Sequence, residues 1–424
     1  MSTKVVVVGL GKIGLPLSVQ FALGDCEVTG CDVSESRVAA VNQARNPFPD
    51  EQHLDDRLRA AVKRGGLRAT TDTTAAARDA DVVILIVPLY AGADHRPDHS
   101  IMDSAADAVA DGLRDGTLIV VETTMPVGAT RRLAQRIAER TGKTPGTDFF
   151  MAFSPERVYS GRIFADLLAY PKLVGGLDAE SGKRAAAFYR SVLPHVEVRE
   201  LANAETAEMA KLAETIYRDV NIALANELAR YADGRGIDIA QVIAASNSQP
   251  FSHIHSPGVG VGGHCIPHYP WFVIADDPDA TLMPAARAIN DGQPGWVLDR
   301  VADAIGGLDG KRVLVLGLSY RAGVKEPTSS PGVDLVRLLA QRGATAHAHD
   351  PLFDRDEIES LGAAPASLDD LGEFDAIVVQ AAHAEYASID WTRCKPGCAV
   401  VDGRGTLDRA TVEAGGATYM GIGR

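Results

Sequence analysis

A chain of 424 residues is too long for one ordinary hydrophobic core, so two or three domains are expected. Its 46% hydrophobic and 23% charged content fits a soluble globular enzyme, and no apolar run reaches the ~18–20 residues that a membrane span needs. The formal net charge of −14 argues against nucleic acid or an anionic membrane as main partner, but leaves room for a phosphorylated ligand bound by backbone N–H groups at a helix start.

A strand begins by residue 4, with no basic leader or small-residue cleavage site, so no secretion signal is expected. The five cysteines, at 26, 31, 265, 394 and 398, are odd in number and scattered, which points to a reducing cytoplasm and no disulfide framework. Cys394 and Cys398 have no second Cys or His pair at metal spacing, so no metal is expected.

Residues 4–9 (KVVVVG) read as a buried parallel strand closed by glycine, and 15–23 as the helix after it. Further strands are expected at 27–32, 81–88 (DVVILIVP) and 117–122 (TLIVVE). From 203 to 232 there is neither glycine nor proline, which predicts one long helix with Met209, Leu212, Ile216, Val220, Ala223 and Leu224 on its apolar face. Strand signals resume at 312–318 (RVLVLGL), 375–380 and 398–402. The expected fold is α/β: two Rossmann-like, doubly wound parallel-sheet domains joined by a central helical domain with a long spine helix. The boundaries read as 1–198 for cofactor binding, 199–300 for the helical domain and 301–424 for the second α/β domain.

Gly9, Gly11 and Gly14 form GxGxxG between strand and helix. The first glycine permits the tight turn, the second lets backbone approach a pyrophosphate, and the third lets helix and strand pack closely. Asp32 ends the next strand, where an acid accepts hydrogen bonds from ribose hydroxyls and repels a 2′-phosphate, favouring NAD over NADP. Arg37 is a nearby residue that could serve such a phosphate. The second strand–glycine signal, ending at Gly317, lacks a third glycine at the right offset and is expected to bind something other than a dinucleotide.

The string GVGVGGHCIPHYP (258–270) presents Cys265 in a stiff loop of small residues. A thiolate can add to an aldehyde, give a tetrahedral carbon that surrenders a hydride, and leave a thioester for hydrolysis. Such chemistry needs a cation near the oxyanion and a carboxylate near the water. Candidate cations are Lys211, on the long helix, and His264; Glu156 is the candidate carboxylate.

At this point the chain resembles the UDP-glucose/GDP-mannose dehydrogenases. The motifs are GLGKIGLPL (9–17), ETTMPVGAT (122–130), SPERVYSGR (154–162), AEMAKLAETIYRDVNIALANELA (207–229), GVGGHCIP (260–267), ARAIND (286–291), VLVLGLSYR (313–321), SSPGVDLV (329–336), HDP (349–351) and VDGRGTLD (401–408). The resemblance implies an NAD-dependent 6-dehydrogenase that takes a UDP-sugar alcohol to a uronate in two hydride transfers, as a homodimer, in polysaccharide biosynthesis. YRDVNIALANELA and GGHCIP resemble most closely the branch acting on UDP-N-acetylhexosamines. By position, Cys265 matches the nucleophile, Lys211 the oxyanion-stabilising lysine, Glu156 the glutamate near the water and Thr124 the threonine near nicotinamide and water. Pro88 falls with the cofactor residues. Glu156, Arg157, Lys211, Gly262, Arg321 and Arg404 fall with the substrate.

Three positions depart from the family's pattern. Tyr269 stands where an aspartate is usual, Thr215 where an asparagine is, and Thr328 where an arginine often sits. A phenol with a pKa of ~10 is a poor base at neutral pH, and loss of a positioned acid/base costs ~10²–10⁴-fold. Glu156 is the best substitute base, and His268 a second candidate. The other reading is a variant tailoring dehydrogenase, on UDP-glucose or an unusual nucleotide sugar, that stops at the aldehyde.

Overall fold

The structure, a computed structural model, describes residues 2–92 and 94–424. The chain gathers into two compact units, Met1–Glu214 with Trp271–Asp276, and Thr215–Pro270 with Asp277–Arg424.

The first unit is built on the strands β1 (Lys4–Val8), β2 (Glu27–Cys31), β3 (Leu67–Thr70) and β4 (Val82–Leu85), a small hairpin of β5 (Tyr90–Ala91) and β6 (Pro97–Asp98), then β7 (Leu118–Val121), β8 (Phe150–Phe153), β9 (Lys172–Gly176) and β10 (Val198–Leu201). All but the hairpin join one sheet in the order β10-β9-β8-β7-β4-β1-β2-β3. Its strands run parallel except where β9 meets β8 antiparallel. Val5 to Val8, Val82 to Leu85 and Leu118 to Val121 are all buried, as strands covered on both faces must be.

The second unit carries β11 (Arg312–Leu316), β12 (Thr345–His349), β13 (Ala364–Pro365), β14 (Ala376–Val379), β15 (Ala399–Asp402) and β16 (Thr418–Gly421). They form an all-parallel sheet in the order β13-β12-β11-β14-β15-β16.

The turns after β1 and β11 repeat one design. Gly9 (φ +103°) donates its N–H to Cys31 O at 2.8 Å, and Leu10 N–H reaches Asp32 Oδ2 at 2.9 Å. Gly317 (φ +92°) donates to His349 O at 2.9 Å, and Leu318 N–H reaches Asp350 Oδ2 at 2.8 Å. In the first turn the helix starts at once, at Gly14; in the second it waits until Pro331. The third glycine that the sequence reading misses is therefore Gly332. A Cβ there would lie 2.6 Å from Gly317 O, as one at Gly14 would lie 1.9 Å from Gly9 O. The inserted segment 319–330 hides the correspondence from motif spacing.

The long helix spans Ala204–Ala232, and the unit boundary falls within it. Its buried seam differs from the apolar face expected. Leu212 and Ala223 are buried, but Met209 and Leu224 are exposed. The seam is completed by Glu208, Thr215, Asp219 and Asn226, all buried, so polar side chains with dedicated partners occupy positions that a hydrophobicity pattern assigns to apolar ones. Glu208 shows how. Its carboxylate accepts from Gly128 N–H (2.6 Å), Thr130 N–H (2.8 Å) and Thr130 Oγ1 (2.6 Å), satisfying the free donors at the start of the helix Ala129–Thr141. Among the described residues, no helix is long and apolar enough to cross a membrane.

Candidate active site

The cofactor end lies where β1 stops. A Cβ on Gly9 would press to 2.7 Å from Ile86 O, whereas one on Gly11 would meet no protein atom within 4 Å. Gly11 thus lines open space at a helix start, the cradle a diphosphate needs. Asp32 accepts from Leu10 N–H on Oδ2 and from Ser34 N–H on Oδ1, which aims its carboxylate beside that cradle. Arg37 Nη1 pairs with Asp32 Oδ2 at 2.9 Å. The arginine that could serve a 2′-phosphate is thereby tied to the acid that repels one. Pro88 is exposed beyond β4, and Thr124 is buried beyond β7. These residues fit NAD.

Beyond β8, the first unit assembles charges away from water. Glu156 Oε2 lies 2.9 Å from Lys172 Nζ, and Lys172 Nζ lies 3.2 Å from Glu122 Oε2. Tyr189 OH donates to Glu122 Oε1, and the Lys172 ammonium sits 4.8 Å from the centre of the Tyr189 ring. Lys211 Nζ donates to the Glu156 backbone carbonyl at 2.7 Å. Arg157 donates its N–H to Glu156 Oε1 at 2.7 Å, and its guanidinium reaches Glu214 Oε1 at 2.7 Å and Pro171 O. The predicted residues Glu156, Arg157 and Lys211 thus come together.

Burial pushes the Glu156 carboxyl up, but the Lys172 charge and hydrogen bond outweigh it and hold the group below its ordinary value. Burial raises Glu122 to about 7, with Lys172 opposing and Glu156 adding to the rise. Burial pulls Lys172 down, but its two carboxylates keep it above its ordinary value. One cation between two carboxylates favours ionisation of Glu156 first and of Glu122 only at higher pH.

In the second unit the thiol loop folds against segment 319–331. A Cβ on Gly262 would lie 2.6 Å from Ser329 O and 2.6 Å from Tyr320 Cβ. Gly263 runs under the Tyr320 ring at φ +95°, a backbone conformation that favours glycine. His264 Nε2 lies 3.0 Å from Glu326 Oε2, and His268 Nε2 lies 2.9 Å from Ser329 Oγ. The Cys265 carbonyl accepts from His268 N–H (3.2 Å) and Tyr269 N–H (2.9 Å), closing one helical turn directly after the thiol. Cys265 is exposed, and the other four cysteines are buried.

Below this loop Arg287, 1% exposed, reaches Asp219 Oδ1 at 2.6 Å and Ile266 O at 3.4 Å. Arg321 is exposed and lies against Tyr320, with Nε 3.2 Å from its hydroxyl. Arg404 is turned inward. Its Nε donates to Gln380 O at 2.5 Å and its Nη2 to Tyr320 O at 3.0 Å, so it braces the segment that packs on the thiol loop.

Sequence reading missed Glu122, Lys172 and Tyr189 in the first unit, and Tyr320, Glu326 and Ser329 in the second. Two signals were available: Glu122 closes the apolar run TLIVVE, and Lys172 opens the buried strand KLVGG, both costly places for a charge without a partner.

Comparison with known proteins gives the family. Residues 3–193 match the NAD binding domain of the UDP-glucose/GDP-mannose dehydrogenase family, residues 205–292 its central domain and residues 314–409 its UDP binding domain. A UDP-N-acetyl-D-mannosamine dehydrogenase from Pyrococcus horikoshii is 32% identical over 99% of this chain and 99% of its own. An NDP-N-acetyl-D-galactosaminuronic acid dehydrogenase from Ralstonia solanacearum is 34% identical over 94% of this chain and 95% of its own. The solved structure of a UDP-D-ManNAc dehydrogenase from Pyrococcus horikoshii superposes with a TM-score of 0.91 at 31% identity, covering 100% of this chain and 99% of that one. The chain therefore belongs to the UDP-glucose/GDP-mannose dehydrogenase family and is an NAD-dependent oxidoreductase of UDP-sugars.

Proposed function

We propose that the protein is a nucleotide-sugar 6-dehydrogenase that oxidises the C6 alcohol of a UDP-N-acetylhexosamine to the uronate. The observation that carries this reading is Cys265: an exposed thiol held in a glycine loop, in a family of NAD-dependent dehydrogenases. The UDP-N-acetyl-D-mannosamine and NDP-N-acetyl-D-galactosaminuronic acid enzymes among its relatives support the N-acetylhexosamine assignment.

Gly9, Gly11, Gly14, Asp32, Arg37, Pro88 and Thr124 would hold NAD, which when bound would supply the acceptor for both hydrides. After the first transfer, the Cys265 thiolate adds to the aldehyde carbon to give a thiohemiacetal, and loss of a second hydride leaves a thioester. Lys211 offsets the developing oxyanion, and Glu156 takes the proton of the attacking water, with Thr124 beside it. Arg157, Gly262, Arg321 and Arg404 shape the nucleotide-sugar site.

The three-part organisation, 1–198, 199–300 and 301–424, follows the same division of labour. The exposed Tyr217, Leu224 and Tyr231, at seven-residue spacing on the long helix, support a homodimer formed through the central region. Four buried, unpaired cysteines support a cytoplasmic location.

Incubation with NAD and a panel of UDP-hexoses and UDP-N-acetylhexosamines, read by mass spectrometry, tests the reading. Acid formation with two NADH per sugar is expected, and Cys265→Ser should abolish it. No NADH with any UDP-sugar refutes it. Tyr269 and Thr215 favour one alternative, arrest at the aldehyde, which would give one NADH per sugar.

A further inference from the structure

Activating the water that attacks the thioester demands a proton acceptor, and Tyr269 stands where a carboxylate would do that work. Glu156 alone is poorly suited. Lys172 holds its Oε2 and the Arg157 N–H holds its Oε1, so its carboxylate is stabilised in the ionised form and is a weak base. The line does not end there. Lys172 Nζ stands between Glu156 Oε2 at 2.9 Å and Glu122 Oε2 at 3.2 Å, with Tyr189 OH on the far oxygen of Glu122. Glu122 is 1% exposed and Lys172 6%, so the charged groups of this line meet one another away from bulk water.

We propose that Glu122 is the terminal acceptor of the hydrolytic proton, reached from Glu156 through the ammonium of Lys172. The proposal rests on the Cys265–Glu156 mechanism above and extends it. Water oxygen bonds to the thioester carbon while the C–S pair leaves on Cys265 Sγ. The water proton passes to Glu156, Lys172 hands one of its protons to ionised Glu122, and it regains one from Glu156. No oxidant or reductant is consumed. Glu122 and Lys172 act through Glu156 and are positioning residues.

The titrating environment of Glu122 comprises Lys172 from β9, Tyr189 from the helix Ala179–Val192, and Glu156, with Arg157 and Lys211 on the far side of Glu156. Since Glu122 is held at about 7, the acceptor is ready only above that pH, and thioester hydrolysis should rise with pH through about 7.

The test is Glu122→Gln, close in shape and unable to take the proton. Stopped-flow NADH absorbance and intact-protein mass spectrometry are followed from pH 6 to 9 with NAD and the active UDP-sugar. The expected result is a burst of two NADH per thiol, a steady state slowed roughly 10²-fold at pH 8, a Cys265-linked acyl adduct that accumulates, and loss of the limb near 7. Lys172→Arg, which keeps the charge but gives up no proton, should likewise lose the limb. An unchanged steady state and pH limb in Glu122→Gln overturns the proposal, as does a full rate and an intact limb in Lys172→Arg, or an equal slowing of burst and steady state. Absence of any Cys265 adduct in the unsubstituted enzyme overturns the cysteine mechanism, and this proposal with it.

Discussion

Replacing Arg287 by methionine keeps the aliphatic stem but removes a cation from a place water does not reach. Asp219 is the residue that feels it. Its Oδ1 receives Arg287 Nη1 at 2.6 Å and Asn290 Nδ2 at 2.8 Å, and its side chain is 1% exposed. Burial already lifts the Asp219 carboxyl above its ordinary value despite the pull of Arg287. Without the guanidinium, the least costly response is for Asp219 to fold protonated. Taking a proton from pH 7 onto a group that titrates at ~3.9 when unfolded costs about 1.36 × 3.1, or ~4 kcal/mol. At pH 5 the same step costs ~1.5 kcal/mol. The sign follows from the raised folded-state value: the variant's deficit is small in acid and grows as pH rises. At ~2–4 °C per kcal/mol, the melting temperature should fall by roughly 8–16 °C at pH 7 but only 3–6 °C at pH 5, each against the unsubstituted protein at that pH. Differential scanning calorimetry reads this directly. Adding Asp219→Asn should recover most of the loss at pH 7. Equal losses at both pH values would refute the argument.

Gly11→Ala should leave the melting temperature within ~2 °C and yet weaken NAD at least ~10-fold in a fluorescence titration, because its methyl meets no protein and fills ligand space. Gly14→Ala should instead lower the melting temperature by ~5 °C or more, since its Cβ would lie 1.9 Å from a backbone carbonyl. Asp32→Ala frees Arg37 and should raise the NADP/NAD ratio of kcat/KM by ~10–100-fold, the worth of a charge-assisted contact. Glu208→Gln exchanges one acceptor oxygen for a donor at a helix start that offers three donors, and should cost ~1–3 kcal/mol in urea unfolding.

The strands and the long helix were legible because their signals are local. KVVVVG, DVVILIVP and TLIVVE are buried runs ended by glycine, proline or a charge, and 204–232 lacks a breaker. What escaped was set by partners distant in sequence. Strand Val198–Leu201, with two exposed residues, has no apolar run to announce it and is held by pairing with β9. Gly332 does the work of a third motif glycine after an insertion that spacing rules do not expect. Lys172 and Glu122 reveal their relation only when β9 is folded back near the end of β7. Cys265, Lys211 and Glu156 could be named from motifs, but the inward turn of Arg404 and the pairing of His264 with Glu326 could not.

On the proposed Cys265 mechanism, the uneven distribution of the cysteines gives the protein a built-in tally of its competent molecules. Burial pushes Cys26 and Cys31 up to about 11 and about 12; the hydrogen bond with Cys398 lowers the Cys394 thiol, but both of these are shut inside the second unit, so a bulky thiol reagent at pH 8 reaches the exposed Cys265. An aromatic disulfide reagent should release one chromophore per native chain and five after denaturation. Rate constants can then be expressed per reactive sulfur rather than per milligram, and a preparation with oxidised loops would declare itself before any sugar nucleotide is added.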